Sequence, residues 1–161
     1  MPDSPFDIDG ATWQPVSRKL IHVRTWIVAI SLGLPTLLGI ALAAGVTPWL
    51  WVAPALTALA LIWALWLIRR QVPAIGYCEL SDELAVRRGI MFKSLTLVPY
   101  GRMQYIEVDS GPLARKYGIA TVTLHTASAS SDAQIPGLPE AEATRLRDRL
   151  SKRSESMLAG L

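Results

Sequence analysis

The chain has 161 residues, 51% of them apolar, with 16 basic and 13 acidic side chains and a net charge of +3. That length allows one modest domain, or a membrane anchor with a small domain attached. The single cysteine, Cys78, excludes an internal disulfide and a cysteine metal cluster, and its place between Tyr77 and Glu79 suits a buried structural thiol.

Residues 1–24 read as a polar N-terminal arm ending in an interfacial segment, with Trp13 and Leu20 expected to touch lipid headgroups. A run of 44 residues from Thr25 to Ile68 then contains no Asp, Glu, Lys, Arg or His. A bilayer core about 30 Å thick needs roughly 20 helical residues, so the run is long enough for two crossings. Gly45, Thr47 and Pro48 punctuate its centre, which predicts a helical hairpin over residues 25–70 with spans near Trp26–Ala44 and Trp49–Ile68. Pro35, midway along the first span, predicts a kink.

Arg18, Lys19 and Arg24 precede the first span, Arg69 and Arg70 follow the second, and the connecting loop is uncharged. Positive flanks belong on the cytoplasmic side, so a multi-pass protein of the bacterial cytoplasmic membrane with both termini cytoplasmic is expected. Trp26, Trp49 and Trp51 at the span ends fit the membrane interface. "ALA" at 41–43 has the small residues of a signal cleavage site. The 24 residues before the apolar run, three acidic ones among them, favour an uncleaved span.

Residues 71–161 carry 11 Lys/Arg and 10 Asp/Glu, a near-neutral balance that argues against a nucleic-acid partner. Here apolar blocks give way to short alternating segments separated by turns. "GYCEL", "LAVRRG", "SLTLVPY" and "MQYIEVDSG" predict four half-buried antiparallel strands. In the third, Leu95 and Leu97 alternate with Thr96 and Val98. In the fourth, Ile106 and Val108 lie opposite Glu107 and Asp109. Gly111-Pro112 ends that strand, "LARKY" makes one helical turn, and Gly118 resets the backbone into "IATVTLHT". Leu113 and Tyr117 are expected to plug the end of the sheet at this corner, with Arg115 and Lys116 outward. After the polar loop "ASASSD", a short strand around Gln134 leads to an amphipathic helix. Pro139 suits its first position, and Ala143, Leu146, Leu150 and Met157 its buried stripe.

"L.VRRGI", "VPYGRMQYIEV", "GPLARKYGIATVTLHTA" and "IPGLPEAEA" together resemble the second bacterial pleckstrin-homology-like (PH-like) domain family, over roughly residues 75–150. Two preceding spans fit that family's layout. The resemblance implies an α+β membrane protein: a transmembrane helical hairpin, then a small antiparallel PH-like sheet or barrel at 71–161, closed by a C-terminal amphipathic helix.

Chemistry is sparse in the sequence. Glu79, Asp82 and Glu83 lack metal-ligand spacing and read as a charged turn, and His125 reads as a solvated strand residue beside Thr123 and Thr126. "RRGIMFK" lacks the spacing of a phosphate-cradling loop. No catalytic residue, metal site or cofactor is expected. The basic residues Arg87, Arg88, Lys93, Arg102, Arg115 and Lys116 are the candidates for contact with a headgroup or a partner. The expected function is a non-enzymatic membrane-anchored interaction or scaffold module, partnered by a membrane protein or by itself. The alternative is binding of anionic membrane lipids by the basic face.

Overall fold

The computed structural model describes residues 8, 11–44, 51–128 and 131–159. The expected loop at Gly45–Pro48, and Trp49, lie outside the described residues. Contacts divide the chain into two compact units, Ile21–Arg70 and a second made of Met1–Leu20 with Gln71–Leu161.

The first unit is built from α1 (Lys19–Ala43) and α2 (Val52–Gln71), both long and apolar enough to cross a membrane. Helix α1 begins at Lys19, ahead of the expected start at Trp26, because the segment before the apolar run continues the same helix. Pro35 lies within it and removes one rung of its hydrogen-bond ladder. On the next residue, Thr36 Oγ1 lies 2.9 Å from Thr57 Oγ1 of α2. Each hydroxyl also reaches a carbonyl of its own helix, Leu32 at 2.7 Å and Pro54 at 3.1 Å. In lipid, where water is scarce, such mutual satisfaction keeps a polar pair inexpensive between helices.

The second unit contains two antiparallel sheets. In one, β1 (Gln14–Pro15), β2 (Gly76–Glu79), β3 (Glu83–Arg88) and β4 (Ser94–Pro99) lie in that order. The other orders β5 (Met103–Asp109), β6 (Ile119–Thr126) and β7 (Ala133–Pro139). The five-residue α3 (Pro112–Lys116) joins β5 to β6, and α4 (Glu140–Ala159) closes the unit. The period-2 pattern sets the inner faces. Tyr77, Leu84, Val86 and Val98 from one sheet, Val122, Leu124 and Ile135 from the other, and Ala143, Leu146 and Leu150 from α4 are all buried.

Three details differ from the sequence reading, and a fourth, in β4, settles a side that it left open. The N-terminal arm supplies β1, with Gln14 opposite Tyr77 and Pro15 opposite Gly76. Its Leu20 is buried against Gly137 rather than set among headgroups, and Trp13 lies under the Arg87 guanidinium, 4.4 Å from the ring centre. In β4 the buried residue is Val98, and Leu97 is exposed, because the core lies on the Thr96/Val98 side. Strand β7 runs to Pro139, so α4 begins at Glu140, and an irregularity in the β6–β7 register between Ala120 and Val122 accommodates the longer strand. Met157 is 37% exposed, since the buried stripe of α4 gives way at Arg153 to a polar cap.

Candidate functional site

The six basic candidates do not converge on one face. Arg87 and Arg88 end β3 and Lys93 immediately precedes β4, so these three share one hairpin. Arg102 follows β4 in a 3-10 turn, Tyr100–Arg102, at the opposite end of that strand. Arg115 and Lys116 are exposed on α3, between strands of the other sheet. Two arginines of the hairpin also brace the fold. Arg87 stacks on Trp13, and Arg88 Nη2 donates to the Gln134 carbonyl of β7 at 2.5 Å.

The α3 corner follows its expected design. Gly111 is extended before Pro112, the first helical residue, and Gly118 has φ +64° where the chain re-enters the sheet. Leu113 and Tyr117 are half-buried, and Arg115 Nη2 reaches the Ser110 carbonyl at 3.4 Å.

The acidic residues near the first hairpin are held by arginine. The Glu79 side chain is only 8% exposed and takes Arg145 at 3.1 Å and Arg149 at 3.1 Å. Arg145 also grips Glu142, and this ion pair is the main reason the Glu142 carboxyl is held below the usual range. Tyr77 donates toward Glu142 at 2.8 Å, and burial, with that contact, keeps its phenol protonated far above its ordinary range. Arg153 completes the seam, donating to the Leu80 carbonyl at 2.9 Å and to the Tyr100 hydroxyl at 3.0 Å. Burial pushes the Tyr100 phenol and the Cys78 thiol upward as well, which leaves that thiol protonated and unreactive.

His125 is not simply solvated. Its Nδ1 lies 3.0 Å from Asp132 and its Nε2 3.3 Å from Glu107, and its ring stacks on Tyr105 with centroids 4.3 Å apart. Asp132 also accepts the Thr126 backbone N–H at 2.8 Å, and that bond is the main cause of its lowered carboxyl pKa. These residues clasp the β6–β7 hairpin. Sequence spacing could not show this, because Asp132 lies across a polar loop and Glu107 on a separate strand.

An open groove of about 340 Å³ between β5 and α4 is lined by Tyr105, Ile106, Ser151, Ser154 and Glu155 among others. Ser154 donates to the Ser151 carbonyl at 2.8 Å. Among the described residues, no group of three or more His, Cys, Asp or Glu is placed to hold a metal ion.

The chain is 38% identical over 72 residues to the UPF0699 transmembrane protein YdbS of Bacillus subtilis (strain 168). The matched stretch covers 45% of this chain and 44% of that relative. No solved structure matches the chain. The model of the bacterial PH domain family matches residues 19–154, taking in both apolar helices and nearly all of the sheet-and-helix unit. Both apolar helices fall within that match, and the chain belongs to the bacterial PH domain family.

Proposed function

We propose that this chain is a non-catalytic, membrane-anchored interaction module. It holds a PH-like domain at the cytoplasmic face, where it organises copies of itself or a partner membrane protein. The observation that carries the reading is the way the domain is tied down. Strand β1 precedes the helices and β2 follows them, yet Pro15 and Gly76 are paired, so both connections leave from one row of one sheet. Such a double tether raises the effective concentration of the domain toward anything at that surface, so that weak contacts suffice. The charged side chains support a structural use: Glu79 and Glu142 join α4 to the sheet, and His125 closes a hairpin.

The β1–β2 pairing also supports an even number of crossings between residues 15 and 76, and the basic flanks support cytoplasmic termini. The test is cross-linking in native membranes, followed by purification of the full chain in mild detergent. A cross-linked species of fixed stoichiometry, either with itself or with one membrane protein, is expected. A chain recovered only as an uncross-linked monomer would overturn the reading.

Binding of anionic headgroups is the second reading, favoured by Arg87, Arg88 and Lys93 sharing one hairpin. Each cation near an anionic surface contributes about 1 kcal/mol. If this reading holds, replacing these three residues should weaken attraction to phosphatidylglycerol and leave the cross-linked species intact.

A further inference from the structure

We propose that the apolar tip of the β3–β4 hairpin enters the headgroup–acyl boundary of the bilayer that this chain spans. The last paired residues of the hairpin are Arg88 and Ser94, and the tip between them reads Gly-Ile-Met-Phe-Lys. Met91 is 83% exposed and Phe92 87%, the highest values among the described large apolar side chains, and Ile90 is exposed beside them. Apolar side chains grouped on a turn, where polar residues are the norm, mark a contact surface.

The loop is held in this form. Gly89 has φ +90°, and a Cβ placed there would lie 1.9 Å from the Phe92 carbonyl oxygen. Only glycine allows so tight a return, and the tight return presents Met91 and Phe92 at the apex.

Sheet register identifies what they meet. Pro15, Gly76, Arg87 and Leu95 form one row across β1–β4. Just beyond that row the chain runs from Pro15 into α1 and arrives from α2 into Gly76, and the hairpin tip projects from the same end. The tip therefore lies at the end of the sheet where the chain leaves at Pro15 and re-enters at Gly76, and the Leu80–Asp82 turn lies at the other end. Its rim matches an interface: Lys93 is exposed, and Arg87 is stacked on the half-buried Trp13. A cation and an indole beside inserted apolar residues are the side chains that the headgroup layer favours. This goes beyond the interaction-module reading and does not depend on it, because apolar contact with lipid needs neither a protein partner nor a particular headgroup.

The test uses the full chain at one copy per lipid nanodisc, with Met91→Cys and Phe92→Cys spin-labelled in separate proteins. Ser81→Cys, in the turn at the far end of β2 and β3, carries the same label as the aqueous reference. Cys78 is buried and should remain unlabelled in the folded protein. The ratio of oxygen to nickel-chelate collision at positions 91 and 92 should exceed that at 81 by about threefold or more, as for a group sunk into the interface. It should do so in neutral phosphatidylcholine at high salt. Equal ratios at 91, 92 and 81 would overturn the proposal. So would a high ratio confined to anionic discs at low salt, which would assign the tip to headgroup charge alone. A high ratio that needs two copies per disc, with dipolar broadening between labels, would assign the tip to a second copy and overturn it equally.

Discussion

Tyr77 on β2 is hydrogen-bonded to Glu142 on α4 at 2.8 Å, and its hydroxyl also faces Gln14 of β1 at 2.6 Å. One phenol therefore joins three segments that are distant in sequence. Tyr77→Phe keeps the ring packing and removes this junction. It should destabilise the full chain by about 1–2 kcal/mol, the cost of a buried hydrogen bond whose partner keeps another donor. Thermal unfolding in detergent micelles reads the change. An unaltered midpoint would show that the Arg145–Glu142 pair alone holds the seam.

Acid should loosen the same seam and the β6–β7 clasp. Glu142 and Asp132 both have carboxyls held below their ordinary range in the folded state, chiefly by Arg145 and by the Thr126 N–H respectively. A group with a depressed folded pKa contributes stability above its unfolded pKa and loses it as pH falls through the folded value. Stability should therefore change little on this account from neutrality down to about pH 5, then fall below roughly pH 4. Glu142→Gln should flatten that acid limb, and an equally steep limb in the variant would assign it to other carboxylates.

Gly137 is constrained twice, by φ +75° and by a Cβ position only 2.8 Å from the Leu20 Cβ. Gly137→Ala should cost more than about 2 kcal/mol, from backbone strain plus overpacking. Leu20→Ala alone should cost about 2–3 kcal/mol for lost burial. The double variant should be somewhat less unstable than the sum, because Leu20→Ala removes the Cδ2 and Cγ contacts at 2.9 and 3.1 Å while keeping the Cβ contact. Strict additivity of the three midpoints would place the damage in backbone strain and the Cβ contact.

At the α3 corner, Leu113→Ala with Tyr117→Ala should lower stability by about 1–3 kcal/mol, because both side chains are half-buried. Arg115→Ala with Lys116→Ala should stay within about 0.5 kcal/mol, as exposed changes usually do. The reverse order in the same unfolding assay would place the basic pair inside a built site.

Labelling of cysteines introduced at Ser4, Val46 and Ser156 in intact cells checks orientation. Ser4 and Val46 lie outside the described residues. Val46 should react with a membrane-impermeant reagent and the other two only after lysis, as the basic flanks require. External reaction at Ser156 would reverse the orientation.

Most of the fold was legible because long-period and short-period apolar patterns survive in sequence. The spans announced themselves by an uncharged run, and Ala120, Val122 and Leu124 announced the buried face of β6. Strand β1 did not, since Gln14–Pro15 is too short for any period and its partner lies beyond both helices. The alternation of Leu95 and Leu97 with Thr96 and Val98 left the buried side open, because the core side of an edge strand is chosen by its neighbours. Ile90–Phe92 were hidden too: their basic flanks were visible, but their exposure depends on the turn that Gly89 closes.

The pairing of Gln14 with Tyr77 requires both residues to lie on the same side of any bilayer the helices cross. A newly made chain in which only one helix has crossed holds these two residues on opposite sides of the bilayer, and the sheet cannot acquire its first strand. Bringing them together closes a long loop whose entropy cost rises only slowly with length, so correct threading rather than distance is the hurdle. A fragment beginning at Gln71 would meet the same defect, with the Gly76–Tyr77 edge that β1 covers left open to pairing with another chain. An unpaired Gly76–Tyr77 edge would thus mark a chain whose two ends lie on opposite sides of a bilayer.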